Sequence, residues 1–182
     1  MAHSPDIRTN RLVITPFSER HLTARYVAWL NDRELMRYSE QRHKRHTLAS
    51  CRSYWHSFAD TPNYFWAIEE TANGLGHIGN INAYVNQMNG LADLGILIGS
   101  PQARGQGYGQ EAWASVCSFL FQEVGLRKIT AGILALNRPM LKLARKVGMV
   151  EDGVRRRHYL CDGIEVDIIH LALFREAEHE SS

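Results

Sequence analysis

The sequence has no marked excess of either charge, no long apolar run and no paired cysteines, and each absence removes a class of function. Twenty-one Lys and Arg stand against nineteen Asp and Glu, a formal net charge of +2. That is too little for the concentrated basic field that sequence-independent nucleic-acid binding needs, so no nucleic-acid partner is expected. No stretch nears the roughly twenty apolar residues that cross a bilayer as a helix. Met1 to Asp6 also lacks the charged-then-apolar pattern of a secretion leader, so a cytoplasmic protein without a membrane partner is expected. Cys51, Cys117 and Cys161 are odd in number, far apart and without Cys-x-x-Cys spacing. They read as reduced structural thiols, and no metal site is expected.

What is present fits one α+β domain spanning residues 1–182, with an ordinary 45% hydrophobic and 22% charged composition. Arg11 to Pro16 reads as a strand. A helix capped by Ser18 should follow, carrying Leu22, Tyr26, Trp29 and Leu30 to the Asn31-Asp32 break. A second helix is expected over Thr47 to Phe58, with Leu48, Cys51, Tyr54, Trp55 and Phe58 as its buried stripe. Tyr64 to Glu69, Gly76 to Val85 and Ala92 to Ile98 are separated by Asn73-Gly74 and Asn89-Gly90, which predicts three antiparallel strands in series. A helix over Gln110 to Gln122, a strand over Lys128 to Leu136, a helix over Pro139 to Lys146 closed by Gly148, and a strand over Val166 to Phe174 complete the reading.

Between the third strand and the next helix lies Arg104-Gly105-Gln106-Gly107-Tyr108-Gly109. Three glycines leading into a helix leave backbone N–H groups exposed at a positive dipole end, which suits phosphate. The loop lies past the midpoint of the chain and no Gly-Lys-Ser/Thr follows it, so a Walker-type fold is excluded.

With Arg104, Gly107 and Gly109 matching Gln/Arg-x-x-Gly-x-Gly/Ala, the chain resembles the GNAT acyltransferases, which use acetyl-CoA. The resemblance extends to Ala92–Ile98, to Glu111-Ala112, and to Asn137 through Gly153, which is similar to Asn-x-x-Ser…Lys-x-Gly-Phe-x-x-Glu-Gly. Thr9–Ile14 and Trp29–Asp32 are similar to the RimJ/RimL branch. The resemblance implies a central mixed, mostly antiparallel sheet, splayed in the middle beside a bulge and flanked by helices on both faces. It implies acetyl-CoA as co-substrate. The pyrophosphate would lie on Arg104, Gly105, Gln106, Gly107, Tyr108 and Gly109, and pantetheine along Ile96, Leu97 and Ile98. An N–H of Leu97 or Ile98 would meet the thioester oxygen, and Asn137 would contact the cofactor arm or simply cap the helix after it.

The implied reaction is direct attack of a neutral amine on the thioester. Candidate bases are Glu40, Glu69, Asp93 and His43. The tyrosine with which many members protonate the departing thiolate is replaced by Ala144, and the usual serine by Met140, so Tyr159 or Tyr108 is left to serve, or the thiolate leaves unaided. That departure also leaves open a non-catalytic acetyl-CoA sensor.

The acceptor is read as a protein or peptide N-terminus or an amino sugar carried on a nucleotide. A polyamine is disfavoured because residues 33–52 are rich in Arg, Lys and His. Arg42 to His46 and Arg155 to His158 either meet an anionic ligand or are solvated surface. For a nucleotide sugar, Arg42 and His43 would face the diphosphate and Trp66, Asn80, Asn82 and Tyr84 the sugar or base. A homodimer is compatible with the exposed aromatics.

Overall fold

The computed structural model describes residues 4–175; residues 1–3 and 176–182, included in the single-domain reading above, lie outside the described residues. Eight strands form one open mixed sheet: β1 (Ile7–Arg8), β2 (Leu12–Pro16), β3 (Tyr64–Glu70), β4 (Gly76–Asn86), β5 (Leu91–Ile98), β6 (Lys128–Leu134), β7 (Val150–Cys161) and β8 (Ile164–Phe174). Their order is β1-β2-β3-β4-β5-β6-β8-β7, and β5 with β6 is the parallel pair.

The helices are α1 (Ala24–Asn31), α2 (Arg33–Met36), α3 (Leu48–His56), α4 (Tyr108–Gln122) and α5 (Arg138–Lys146). Strand parity decides which face each covers. Tyr64, Trp66 and Ile68 of β3 join Ile81 and Ala83 of β4 and Ala92 and Leu94 of β5 in a core with Ala112, Trp113, Val116 and Leu120 of α4 and Leu141 and Ala144 of α5. Phe65 and Ala67 point the other way, into a second cluster with Phe17, Tyr26, Trp29, Cys51 and Phe58, which α1 and α3 cover. A third, smaller cluster of Leu134, Cys161, Val166 and Ile168 holds Tyr38 and Tyr159. Each large apolar side chain so enclosed contributes about 1.5–3 kcal/mol.

Three local expectations change. The helix expected from Ser18 is split: Ser18 begins a 3-10 turn, Glu19–His21, and Thr23 caps α1 separately by accepting from Tyr26 N–H. Leu48 lies in the exposed first turn of α3, 46% accessible, rather than in its buried stripe. Strand β7 was not foreseen, because its residues are exposed almost throughout and show no alternation; pairing with β8 fixes it.

The β5–β6 ladder has only three residue pairs, ending at Asp93↔Thr130, after which the two strands part. The β4–β5 register runs from Gly79↔Ile98 to Asn86↔Leu91 without a shift, so no bulge in that pairing opens the gap. The close approach of α1 to the loop after β5 is set by Gly99, where an added Cβ would lie 2.0 Å from Trp29. Gly99→Ala is expected to cost about 2 kcal/mol by displacing that indole, lowering Tm by roughly 4–8 °C. Thermal denaturation checks this; an unchanged Tm would contradict the packing.

Candidate active site

Beyond Asp93 the edge of β5 is open. Gly99 N–H donates to Ile78 C=O at 2.9 Å, and main-chain groups along an antiparallel strand alternate in direction. Leu97 therefore directs its N–H and C=O to β4, while Ile96 and Ile98 direct theirs into the gap. Of the two amides weighed for the thioester oxygen, Leu97 is thereby removed and Ile98 remains, joined by Ile96.

At the mouth of the gap the glycine loop enters α4. Gly105 and Gly107 adopt φ of +74° and +82°, where a side chain is strained. Among the described residues the N–H groups of 105–110 have no acceptor, and residues 104–107 are exposed. Gly109 is tight for another reason: an added Cβ would lie 3.2 Å from the Leu143 side chain and 3.4 Å from that of Ile98, so the first turn of α4 packs closely on both.

Arg11, which sequence reasoning gave no role, staples this loop. Its Nε donates to Glu111 at 2.7 Å and one terminal nitrogen to Gln106 C=O at 3.0 Å, and the guanidinium lies 4.4 Å from the Tyr108 ring centre. Thr9 Oγ1 donates to the same carboxylate at 2.5 Å. Burial pushes the Glu111 pKa up, but Thr9 and Arg11 outweigh it and hold it below the ordinary value. About 100 residues separate the partners, so no local pattern announces the contact. Arg104 donates to Gly99 C=O at 3.0 Å. The Tyr108 side chain is buried and its hydroxyl faces Asn73 and Glu70, so it presents only its backbone to the loop and does not serve as an acid there.

Asn137 Oδ1 accepts from Met140 N–H at 3.3 Å, capping α5, while its amide NH2 keeps no partner among the described residues. Ala144 is fully enclosed in the core. Arg138, Lys142, Arg145 and Lys146 line a cleft of about 700 Å³ beside α5; their helical spacing was readable but was not read as a basic face.

On the α1–α3 face, β4 presents Asn80, Asn82 and Tyr84, and β5 presents Asp93, Gly95 and Leu97. Asn80 is 5% accessible; its NH2 donates to Trp66 C=O at 3.4 Å and its Oδ1 is buried without a partner among the described residues. The Tyr84 hydroxyl meets that of Tyr54 in α3 at 2.9 Å. Trp66 does not join this group. It is wholly buried on the α4 face, so its side chain cannot meet a sugar or base here.

Two of the candidate bases are committed elsewhere. Glu69 Oε1 accepts from His21 at 3.0 Å and Arg20 at 3.1 Å, holding the 3-10 turn to β3. Glu40 pairs with Arg42 at 2.9 Å. Arg42 itself donates to Ser39 C=O at 2.9 Å and Leu160 C=O at 2.8 Å, which leaves it a tie between segments rather than a diphosphate ligand. His43 is exposed on the 3-10 turn Glu40–His43. Tyr159 is half-buried against the third cluster and 5.0 Å from the His158 ring.

Asp93 differs from the other carboxylates. It stands opposite Thr130 where β5 and β6 part, and desolvation pushes its pKa up to about 6, with the Thr130 side chain acting the other way. It is exposed on its open side, and water there tempers the effect. A carboxyl with a raised folded pKa binds more protons when native, so its contribution to stability falls as pH rises from the ordinary 3.8 to about 6. Asp93→Asn is therefore expected to raise Tm at pH 7 and to flatten the fall of Tm across that window. A lower Tm at pH 7 would contradict the desolvated setting.

Residues 11–150 match the family model described as an acetyltransferase (GNAT) domain. The N-acetyltransferase 9-like protein of Nematostella vectensis is 24% identical over 151 residues, 78% of this chain and 76% of that one. The human alpha/beta-tubulin-N-acetyltransferase 9 is 24% identical over 153 residues, 75% and 71% of the two chains. A spermidine N-acetyltransferase from Vibrio cholerae, solved with CoA and spermine, superimposes with a TM-score of 0.80 at 18% identity, covering 91% of this chain and 96% of its own. The family-model match, over a splayed sheet that has the same fold as that structure, leads to one conclusion: the chain belongs to the GNAT acetyltransferases.

Proposed function

We propose that the protein is an acetyl-CoA-dependent N-acetyltransferase that moves an acetyl group to the α-amine of a peptide or protein N-terminus by direct attack on the thioester. The observation that carries the reading is the run of unpaired amides at residues 105–110, heading a 15-residue helix at the mouth of the β5–β6 gap. Those amides and the dipole end of α4 suit the pyrophosphate, with the basic side of α5 adding charge. The free edge at Ile96 and Ile98 suits the peptide-like pantetheine, and the Asn137 NH2 is free to donate to it. An N–H from that edge polarises the thioester carbonyl, an effect worth about 3–4 kcal/mol where such donors have been removed. We take residues 1–182 as one domain of the RimJ/RimL-like branch, in which the Thr9–Ile14 opening supplies the Arg11 staple.

The gap joins this cofactor side to the α1–α3 face, where Asp93 marks its closed end and the Asn80 Oδ1 offers a buried acceptor. Asp93 takes the amine proton, directly or through one water, as the nitrogen bonds to the acyl carbon and the carbon–sulfur bond breaks. An α-amine with a pKa of about 7.7–8 gives up its proton far more readily than an alkylamine. Tyr159, beside Leu134 at the end of β6, is the phenol we assign to protonating the thiolate. A peptide is favoured over a nucleotide-linked sugar because Trp66 and Arg42 are unavailable to the latter. The tubulin acetyltransferase named among the relatives acts on a protein.

Calorimetry is expected to give heat with coenzyme A, and Gly107→Val, strained at a φ of +82°, to weaken binding on the order of tenfold or more. Equal affinity in wild type and variant would remove the loop from the site. In a thiol-release assay with an N-terminal peptide, Asp93→Asn is expected to lower kcat/KM by about 100-fold or more, and the wild-type rate to fall as pH drops through about 6. Coenzyme A binding without turnover over a broad peptide panel would instead make the protein a sensor.

A further inference from the structure

The two basic segments of the sequence, residues 42–46 and 155–158, are brought near each other by contacts of their neighbours. Arg42 donates to Leu160 C=O at 2.8 Å, and Tyr38 and Tyr159 pack on the same apolar cluster. Beside this junction β7 leaves its ladder: Arg155 pairs with Ile168 and the next pair is Tyr159 with Val166, so β7 spends four residues where β8 spends two. Arg157 sits at a φ of +49°, a conformation a side chain adopts only when its surroundings hold it there. Asp167 does the holding, accepting from Arg157 N–H at 2.7 Å and from the Arg156 guanidinium at 2.9 Å.

Charge accounting on this rim leaves a surplus. Asp167 and Glu165 answer Arg156 and Arg157, and Glu40 answers Arg42. Arg155, Lys44 and Arg45 are exposed and have no ion pair among the described residues. With a chain charge of only +2, this surplus is local rather than a general property of the surface.

Arg155 also connects the rim to the reacting centre. It lines one cleft with Thr130, His170 and Asp152, whose carboxylate is taken up by Lys128 at 2.6 Å, and Thr130 is the partner of Asp93 where the sheet parts. Register places Arg155 in a row with Ile168 and Leu134, on the α1–α3 face. The row before it is Gly153, His170 and Gly132, whose two glycines raise no side chains along the path. Three strand spacings and four residues of rise separate the Asp93 and Arg155 positions by on the order of 20 Å, about six residues of extended chain.

We propose that this rim binds acidic side chains of the acceptor, so that the enzyme selects N-termini carrying Asp or Glu within roughly the first six residues. The inference rests on the peptide-acetyltransferase reading and adds the class of peptide.

The test uses the full chain, acetyl-CoA and peptides that share their first two residues and carry Glu, Gln or Lys at positions three to six. The Glu peptide is expected to have a kcat/KM about tenfold above the Gln peptide, expressed in KM, with the Lys peptide lower still and the preference shrinking as salt is raised. Arg155→Gln should reduce the Glu-over-Gln ratio several-fold and Arg155→Glu should shift it toward Lys. Coenzyme A affinity, assigned above to the glycine loop and the β5 edge, reports that these variants are folded. Equal rates with Glu and Gln peptides overturn the inference and leave the peptide reading standing. Binding of coenzyme A with no peptide acetylated overturns both. Tight, salt-steep binding of a single-stranded oligonucleotide that displaces the Glu peptide would assign the rim to nucleic acid and also overturn it.

Discussion

The structure depends on one interruption: β5 and β6 pair through Asp93 and Thr130 and then separate, leaving main-chain groups of Ile96 and Ile98 without a neighbouring strand. An unpaired backbone group costs about 1–3 kcal/mol when it is buried. The fold tolerates the gap because other contacts fix its walls. α4 and α5 pack over one face, with Gly109 letting the first turn of α4 sit against Ile98. The long β7–β8 hairpin secures β6 along its whole length from the other side. The chain leaves the sheet incomplete there, an open edge of the kind that suits a ligand with peptide-like groups.

The same interruption sorts the two faces by chemistry. On the α4 face the gap opens toward unpaired amides and basic side chains, a setting for phosphate. On the α1–α3 face it opens toward Asn80, Asp93 and Tyr84, a setting for an amine. Arg11, just ahead of β2, and Glu111 in the first turn of α4 tie the glycine loop to the opposite end of the chain. Asp167 fixes the β7 bulge at the far end of that face.

The conformation of the glycine loop was legible because it is encoded locally: Gly105 and Gly107 ahead of α4 and Gly109 in its first turn state both the backbone path and the direction of the amides. Asn137 was legible for the same reason, as a cap whose NH2 remains free. The acceptor side was harder, since its residues converge from four strands and their faces depend on register. Trp66 lies in Tyr-Phe-Trp-Ala-Ile, a strand buried on both faces, where hydrophobicity carries no parity. Glu69 and Arg42 read as free charges because their partners, His21 and Leu160, are distant in sequence. Strand β7 was unreadable because Arg155 to His158 interrupts any alternation, and only pairing with β8 makes it a strand.

Hydrogen exchange read residue by residue, with and without coenzyme A, tests the central claim most directly. The amides of Ile96 and Ile98 and of residues 105–110 should exchange readily in the free protein and slow together on addition of the ligand, while Leu97, already paired with β4, changes little. Protection confined to other segments, or Ile96 and Ile98 already protected without ligand, would mean that the sheet is closed and that this account of the site is wrong.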